Sequence, residues 1–201
     1  MTAMTKRFQI LEWAAVLAVA VLLGWLLNFP GTVRIALAIT LVAFWIVLSL
    51  RAPRAVLYTL LVWLSCLGLV RRLVSALGPT PPAFGDPLLL SAAFGWCLLA
   101  GIAISRGALK NRTPLTNAVL ILTSILTLSA FNPRQGGLEV SLGGLLLVVV
   151  PMLAFWVGRT LLDDRSLVNA LSIVAVMALP TAAYGLFQTF SDFPSWDADW
   201  I

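Results

Sequence analysis

Long apolar runs alternate with short polar segments along the whole chain. Most runs are long enough, at 1.5 Å per helical residue, to cross a hydrocarbon core about 30 Å thick. The pattern predicts an all-α, polytopic bundle of about seven transmembrane helices that forms a single domain, 1–201. The predicted spans are approximately 9–29, the stretch between Arg34 and Arg51, the stretch between Arg54 and Arg71, 86–105, 115–131, 138–157 and 166–190.

The second and third runs are short for membrane spans. About 16 residues separate the arginines that flank each of them, which corresponds to about 24 Å of helix. We therefore expect these arginines to snorkel towards the membrane surface, or the bilayer to thin locally.

Several polar positions predict where helices begin and end. Asp86 and Thr113 each precede a proline, a pattern typical of an N-cap followed by proline in the first turn. Asp163 and Asp164 lie where carboxylates favour a helix N-terminus. Gly107 follows the fourth run and predicts its end.

Composition identifies lipid as the solvent of this chain. Hydrophobic residues make up 61% of the sequence and charged residues 10%, whereas soluble domains carry about 25% charged residues. The net charge of +5 comes from basic residues scattered singly or in pairs, so we predict no nucleic-acid partner. Two cysteines and no histidine predict neither a metal site nor a cofactor.

The distribution of basic residues predicts the orientation, because lysine and arginine favour the cytoplasmic side. An N-in, C-out topology places nine basic residues inside and four outside. The inner ones are Lys6, Arg7, Arg51, Arg54, Arg106, Lys110, Arg112, Arg159 and Arg165, and the outer ones are Arg34, Arg71, Arg72 and Arg134.

The interiors of the last two runs contain helix-perturbing residues. Pro151 and Pro180 predict kinks in the sixth and seventh spans. Gly143 and Gly144 predict a close approach between helices. No carboxylate, lysine or histidine lies in the middle of a run, which argues against an ion-coupled transporter or proton pump.

The outer arginines are the first candidates for chemistry. Arg71, Arg72 and Arg134 stand on the side that disfavours them, and a guanidinium matches the geometry of a phosphate. They predict binding of a lipid diphosphate at the outer leaflet, with ordinary lipid-headgroup contact as the alternative.

Two further groups of residues could bind substrate near the same boundary. Gln135 precedes Gly136 and Gly137, whose backbone N–H groups could hold an anion, although a plain turn explains the pair as well. Tyr184 and Gln188 share one helical face, where the glutamine could bind sugar hydroxyls or both could anchor the interface.

Two segments resemble the family of O-antigen ligases and O-antigen polymerases. They are Phe131-Asn132-Pro133-x-Gln135-Gly136 with the closing Gly158-Arg159, and Tyr184-Gly185-Leu186-Phe187-Gln188 followed by Trp196-Asp197-x-x-Trp200-Ile201. The resemblance covers mainly residues 131–201. It implies a multi-span glycosyltransferase of the bacterial inner membrane that needs no metal. Such an enzyme takes glycan from an undecaprenyl-diphosphate carrier at the periplasmic face, for lipopolysaccharide or other polysaccharide synthesis.

The chain departs from this family in having no histidine and no large periplasmic loop. We therefore expect it to be the N-terminal part of a longer membrane protein, inactive by itself, and we assign no catalytic residue. The alternatives are a transporter or flippase-like protein and a non-catalytic membrane assembly subunit. Protein partners and the glycan acceptor stay open.

Overall fold

The computed structural model describes residues 32–75, 86–110, 113–132 and 138–191. All regular secondary structure in these ranges is helical, which confirms the all-α prediction. The helices are α1 (Val33–Arg51), α2 (Pro53–Ser75), α3 (Pro87–Ser105), α4 (Pro114–Ser129), α5 (Leu138–Leu161) and α6 (Asp164–Phe190). The predicted first span, 9–29, lies outside the described residues.

Five of these helices are long and apolar enough to cross a membrane, namely α1, α2, α3, α5 and α6. The exception is α4, which has 16 residues and a length of about 24 Å. The chain is thus a helical membrane protein with five candidate spans in its described part. The count of about seven spans and the N-in orientation stay predictions.

The helix starts occur where the polar residues predicted them. Asp86 Oδ1 accepts a hydrogen bond from the Leu88 N–H at 3.0 Å, and Asp163 Oδ1 accepts one from the Ser166 N–H at 2.8 Å. Thr113 Oγ1 accepts from the Thr116 N–H at 3.2 Å. All three side chains satisfy backbone donors that the first helical turn leaves unpaired.

The end of α3 also follows the prediction. Gly107 has a φ of +90°, in the left-handed region that favours glycine. Its N–H donates to the Ile104 carbonyl, and the Ala108 N–H donates to the Ala103 carbonyl. This pair of bonds is the Schellman arrangement, which turns the chain out of the helix.

The expectation that flanking arginines snorkel is wrong for Arg34. α1 includes this residue, and its side chain is only 4% exposed because it points into the protein towards Asp86. α2 continues past Arg71 and Arg72 to Ser75, so these arginines lie inside the helix and do not terminate it. A buried carboxylate within reach keeps the guanidinium away from the lipid–water surface.

α3 is the central helix and packs against α1, α2 and α5. The core between them contains fully buried side chains from all four helices. These include Trp45, Val56, Leu60, Leu88, Leu99, Val157 and Leu161. A smaller cluster of Ala103, Ala108 and Trp156 connects α3 to α5 and is covered partly by α4.

A close helix approach occurs at Gly95. The prediction for the pair Gly143 and Gly144 is wrong at Gly144, and the surroundings of Gly143 lie outside the described part of the chain. A Cβ atom built on Gly95 would lie 2.9 Å from Leu60 Cδ1 and 3.1 Å from Trp45 Cζ3. A Cβ atom built on Gly144 meets nothing within 4 Å. Gly95 therefore allows α3 to lie close to the α1–α2 pair, because its missing side chain leaves space for the Trp45 indole of α1.

Successive helices run in opposite directions, so their ends form two groups. We call the group with the start of α1, the end of α2 and the start of α3 the Asp86 end. The opposite group contains the end of α3, the end of α5 and the starts of α2 and α6, and we call it the Asp163 end. α6 packs along α2 with only 6% of its apolar window buried, so most of its surface faces outward.

Candidate functional site

A cluster of charged residues joins three helix ends at the Asp86 end. Asp86 Oδ2 accepts hydrogen bonds from Arg34 Nη1 at 2.9 Å and from Arg71 Nε at 2.6 Å. The Asp86 side chain has no exposed surface, and that of Arg71 is 17% exposed. We refer to Arg34, Arg71, Ser75 and Asp86 as the arginine–aspartate cluster.

Further hydrogen bonds fix the orientation of Arg34. Its Nη2 donates to Ser75 Oγ at 2.8 Å and to the Arg71 carbonyl at 3.2 Å. Ser75 Oγ in turn donates to the Arg71 carbonyl at 2.7 Å. The last turn of α2 thus supplies acceptors for Arg34 and also contributes the second arginine, which makes the cluster a rigid junction.

Each cluster residue is placed there by its position in a helix. Arg34 lies in the first turn of α1, Arg71 lies one turn before the end of α2, and Asp86 caps α3. A single carboxylate therefore has two functions, since one oxygen caps the helix and the other binds both guanidinium groups. Among these described contacts, two guanidinium groups share one carboxylate.

The structure brings Arg71 into this cluster, and Arg72 is its neighbour in the last turn of α2. Gln188 lies half-buried near the end of α6, which runs parallel to α2 and so finishes at the same end of the bundle. On α6 the Tyr184 ring stacks against the Phe187 ring, with centroids 6.3 Å apart. Arg134 and Gln135 lie outside the described residues.

Sequence reasoning missed Arg34 and Asp86 as partners of Arg71. Asp86 was assigned only a capping role, and Arg34 only a topological one. The available signal was that an acidic residue lies at the same predicted membrane boundary as four arginines. A buried guanidinium needs a carboxylate, and the early helices offer this one at the predicted boundary.

The Asp163 end is held together by a more exposed set of contacts. Arg54 Nε donates to the Leu161 carbonyl at 2.8 Å, and Arg54 Nη1 lies 3.0 Å from Asp163 Oδ2. Tyr58 Oη donates to the Ser166 carbonyl at 3.3 Å. These bonds fasten α2 to the connection between α5 and α6.

The acidity of Asp163 is changed by its neighbours. The Ser166 hydroxyl and the Ser166 backbone N–H, together with the Arg54 guanidinium, hold the pKa of the Asp163 carboxyl below its usual value of 3.8. This carboxylate therefore stays ionised at neutral pH. It caps α6 and forms an ion pair with Arg54 of α2.

A second arginine at this end reaches α4. Arg159, in the last turn of α5, donates to Thr116 Oγ1, and the Thr116 side chain is fully buried. Thr113 Oγ1 lies 2.9 Å from Thr116 Oγ1 and completes a short polar chain. Arg159 thus positions the start of α4 against α5.

No protein-family model, curated protein or solved structure matches this chain.

Proposed function

We propose that this chain belongs to a glycosyltransferase of the O-antigen ligase or polymerase type in the bacterial inner membrane. The enzyme would use an undecaprenyl-diphosphate-linked glycan as donor at the periplasmic face. The proposal combines the sequence resemblance over residues 131–201 with the arginine–aspartate cluster at the Asp86 end.

The convergence of two guanidinium groups on one carboxylate, with a third arginine on the next residue, is the observation that supports the proposal. Arg34 and Arg71 share Asp86, and Arg72 adds a further guanidinium on the next residue. Such a charge at a membrane boundary attracts a lipid diphosphate more strongly than it would in bulk water, because the local dielectric constant is lower. The buried carboxylate keeps Arg34 and Arg71 in place.

In the proposed reaction, an acceptor hydroxyl attacks the anomeric carbon of the donor sugar. The bond from that carbon to the diphosphate oxygen breaks, the acceptor loses its proton, and undecaprenyl diphosphate leaves. Negative charge on the leaving diphosphate is what nearby arginines stabilise, and stabilisation of this kind accelerates the bond-breaking step. Arg71, Arg72 and Arg134 are the proposed diphosphate contacts, and Gln135 and Gln188 are proposed contacts to the substrate.

Arg72 and Arg134 are better test positions than Arg71, since Arg71 also binds the buried Asp86. Losing one charge-assisted hydrogen bond costs about 1.5–3 kcal/mol, so Arg72→Ala and Arg134→Ala should each lower kcat/KM for the donor roughly 10- to 100-fold. Release of undecaprenyl diphosphate by the protein that contains this chain is the measurement. Lys110→Ala, at the opposite end, is the control and should retain wild-type transfer.

Thermal unfolding of each variant separates lost binding from lost folding. Full transfer by both arginine variants would remove the diphosphate-binding role. Uptake of solute by vesicles, with no glycan transfer from the lipid-linked donor, would support the transporter alternative.

A further inference from the structure

An apolar pocket of about 190 Å³ lies between α2, α3, α5 and α6, close to the Asp163 end. Every lining residue is a leucine, valine, alanine, glycine or tryptophan. The walls include Leu57, Leu61, Trp96, Ala154, Gly158 and Leu162. Water gains few hydrogen bonds in such a pocket, and apolar cavities of comparable size take up hydrocarbon instead.

The distance of the pocket from the Asp163 end matches the position of the first carbons of a lipid acyl chain. Leu57 and Leu61 follow Arg54 by three and seven residues, which places the pocket about 5–10 Å along α2 from that arginine. Arg54 also binds the Leu161 carbonyl, next to Leu162 in the pocket wall. A lipid with its headgroup beside Arg54 would therefore have its first chain carbons at the level of the pocket.

The Asp163 end has a charge that favours an anionic headgroup. Its described helix ends carry more basic than acidic residues. The basic ones are Arg51, Arg54, Arg106, Lys110, Arg159 and Arg165, and the acidic ones are Asp163 and Asp164. Basic residues at a membrane surface attract anionic lipids, each with a modest contribution.

We propose that this pocket binds one acyl chain of an anionic phospholipid whose headgroup lies at the Asp163 end. The size of the pocket suits a slender chain, since about 150 Å³ accommodates a single benzene ring. The lipid would fill the gap between α2 and the α5–α6 pair and stabilise the bundle there. This proposal is independent of glycan transfer, because it concerns the end of the bundle opposite the arginine–aspartate cluster.

Gly158 offers a direct test. A Cβ atom added there meets only Leu162 Cδ1, at 4.0 Å, so Gly158→Leu can fill the pocket without a backbone clash. Gly144→Leu is the matched control on the same helix, because its Cβ meets nothing within 4 Å and Gly144 is not part of the lining. Ala154→Leu fills the same pocket and serves as a second variant if Gly158→Leu does not fold.

Native mass spectrometry of detergent-purified protein should measure binding of phosphatidylglycerol and phosphatidylcholine with identical acyl chains. We expect wild type and Gly144→Leu to bind one phosphatidylglycerol saturably, about tenfold more tightly than phosphatidylcholine. Gly158→Leu and Ala154→Leu should weaken this binding at least about tenfold and lose the rise in Tm that phosphatidylglycerol gives wild type.

Three outcomes would overturn the proposal. One is unchanged phosphatidylglycerol binding by a folded pocket-filling variant, and another is equal affinity of wild type for the two lipids. The third is a lipid-free dimer that Gly158→Leu converts to a monomer, which would identify a second copy of the chain as the occupant.

Discussion

Asp86 accepts hydrogen bonds from two arginines and from the start of α3, with no exposed side-chain surface. Asp86→Asn keeps an oxygen for the cap but removes the negative charge between Arg34 and Arg71. Because breaking a buried ion pair from one side leaves an uncompensated charge, we expect the free energy of unfolding to fall by about 3–5 kcal/mol. Thermal or denaturant unfolding in detergent, followed by circular dichroism, measures this loss.

Asp163→Asn is the matched control, since Asp163 is also an N-cap that pairs with an arginine. Here both partners are more than half exposed, at 51% for Arg54 and 56% for Asp163. Water already solvates these charges, so the variant should lose much less stability than Asp86→Asn. Equal losses for the two variants would mean that burial does not distinguish the two ion pairs.

Asp163 predicts a specific response of stability to pH. Hydrogen bonds from Ser166 lower the pKa of this carboxyl in the folded state, so the folded protein binds this proton more weakly than the unfolded chain. The contribution of the Asp163 carboxylate to the free energy of unfolding is therefore complete above its unfolded pKa. It is lost as the pH falls through the lower pKa of the folded state. Tm measured at pH 7, 5 and 3 should show the difference between wild type and Asp163→Asn shrinking only in the most acidic sample.

At the scale of helices, Gly95 is a position of α3 where an added Cβ atom would crowd side chains of two neighbouring helices. Leu60 and Trp45 surround it, and Trp45 is fixed by a 3.1 Å hydrogen bond from its indole Nε1 to Thr59 Oγ1. Gly95→Ala should therefore destabilise the bundle by about 1–3 kcal/mol through overpacking. Measured unfolding free energies of the variant and wild type give this difference.

Gly101→Ala, on the same helix, should have the opposite effect. A Cβ atom at Gly101 meets nothing within 4 Å, so the substitution adds only the helix-stabilising effect of alanine, about 0.5–1 kcal/mol. The same sign of change at both glycines would contradict the contact that we describe at Gly95.

The helices show which structural features a sequence reveals. Asp86, Thr113 and Gly107 act within one or two turns of their own position, so their capping functions could be predicted from local sequence. The contact of Gly95 depends on residues 35 and 50 positions away, and one sequence does not show which glycine faces a neighbouring helix. For the same reason the sequence could not show that the surroundings of Gly144 are open.

For the whole molecule, the bundle predicts that residues at its two ends lie on opposite sides of a membrane. In a background in which Cys66 and Cys97 are replaced by serine, Ser191→Cys should react with an impermeant thiol reagent in intact cells. Lys110→Cys should react only after permeabilisation, because the excess of basic residues predicts that its end is cytoplasmic. The reverse pattern would invert the orientation, and labelling of both from one side would show that at least one of α4, α5 and α6 does not span.

Contacts that form only when the helices assemble limit how much of the candidate site the sequence could predict. The apolar runs predicted the class of protein because the backbone in lipid must form its hydrogen bonds internally, which favours helices. Arg71 was a candidate from charge alone, but its bond to Asp86 arises only when α1, α2 and α3 assemble. The pairing of charges on separate helices is a property of the assembled bundle.

The sequence distance between Arg34 and Asp86 has a consequence for biogenesis. Arg34 leaves the ribosome 52 residues before its carboxylate partner. In the interval, the hairpin of α1 and α2 lacks the Asp86 carboxylate, and the described contacts that it offers to Arg34 are the Ser75 hydroxyl and the Arg71 carbonyl. Insertion of this hairpin into the lipid is therefore coupled to the arrival of α3. A nascent chain arrested before residue 86 would leave Arg34 facing water or the insertion machinery.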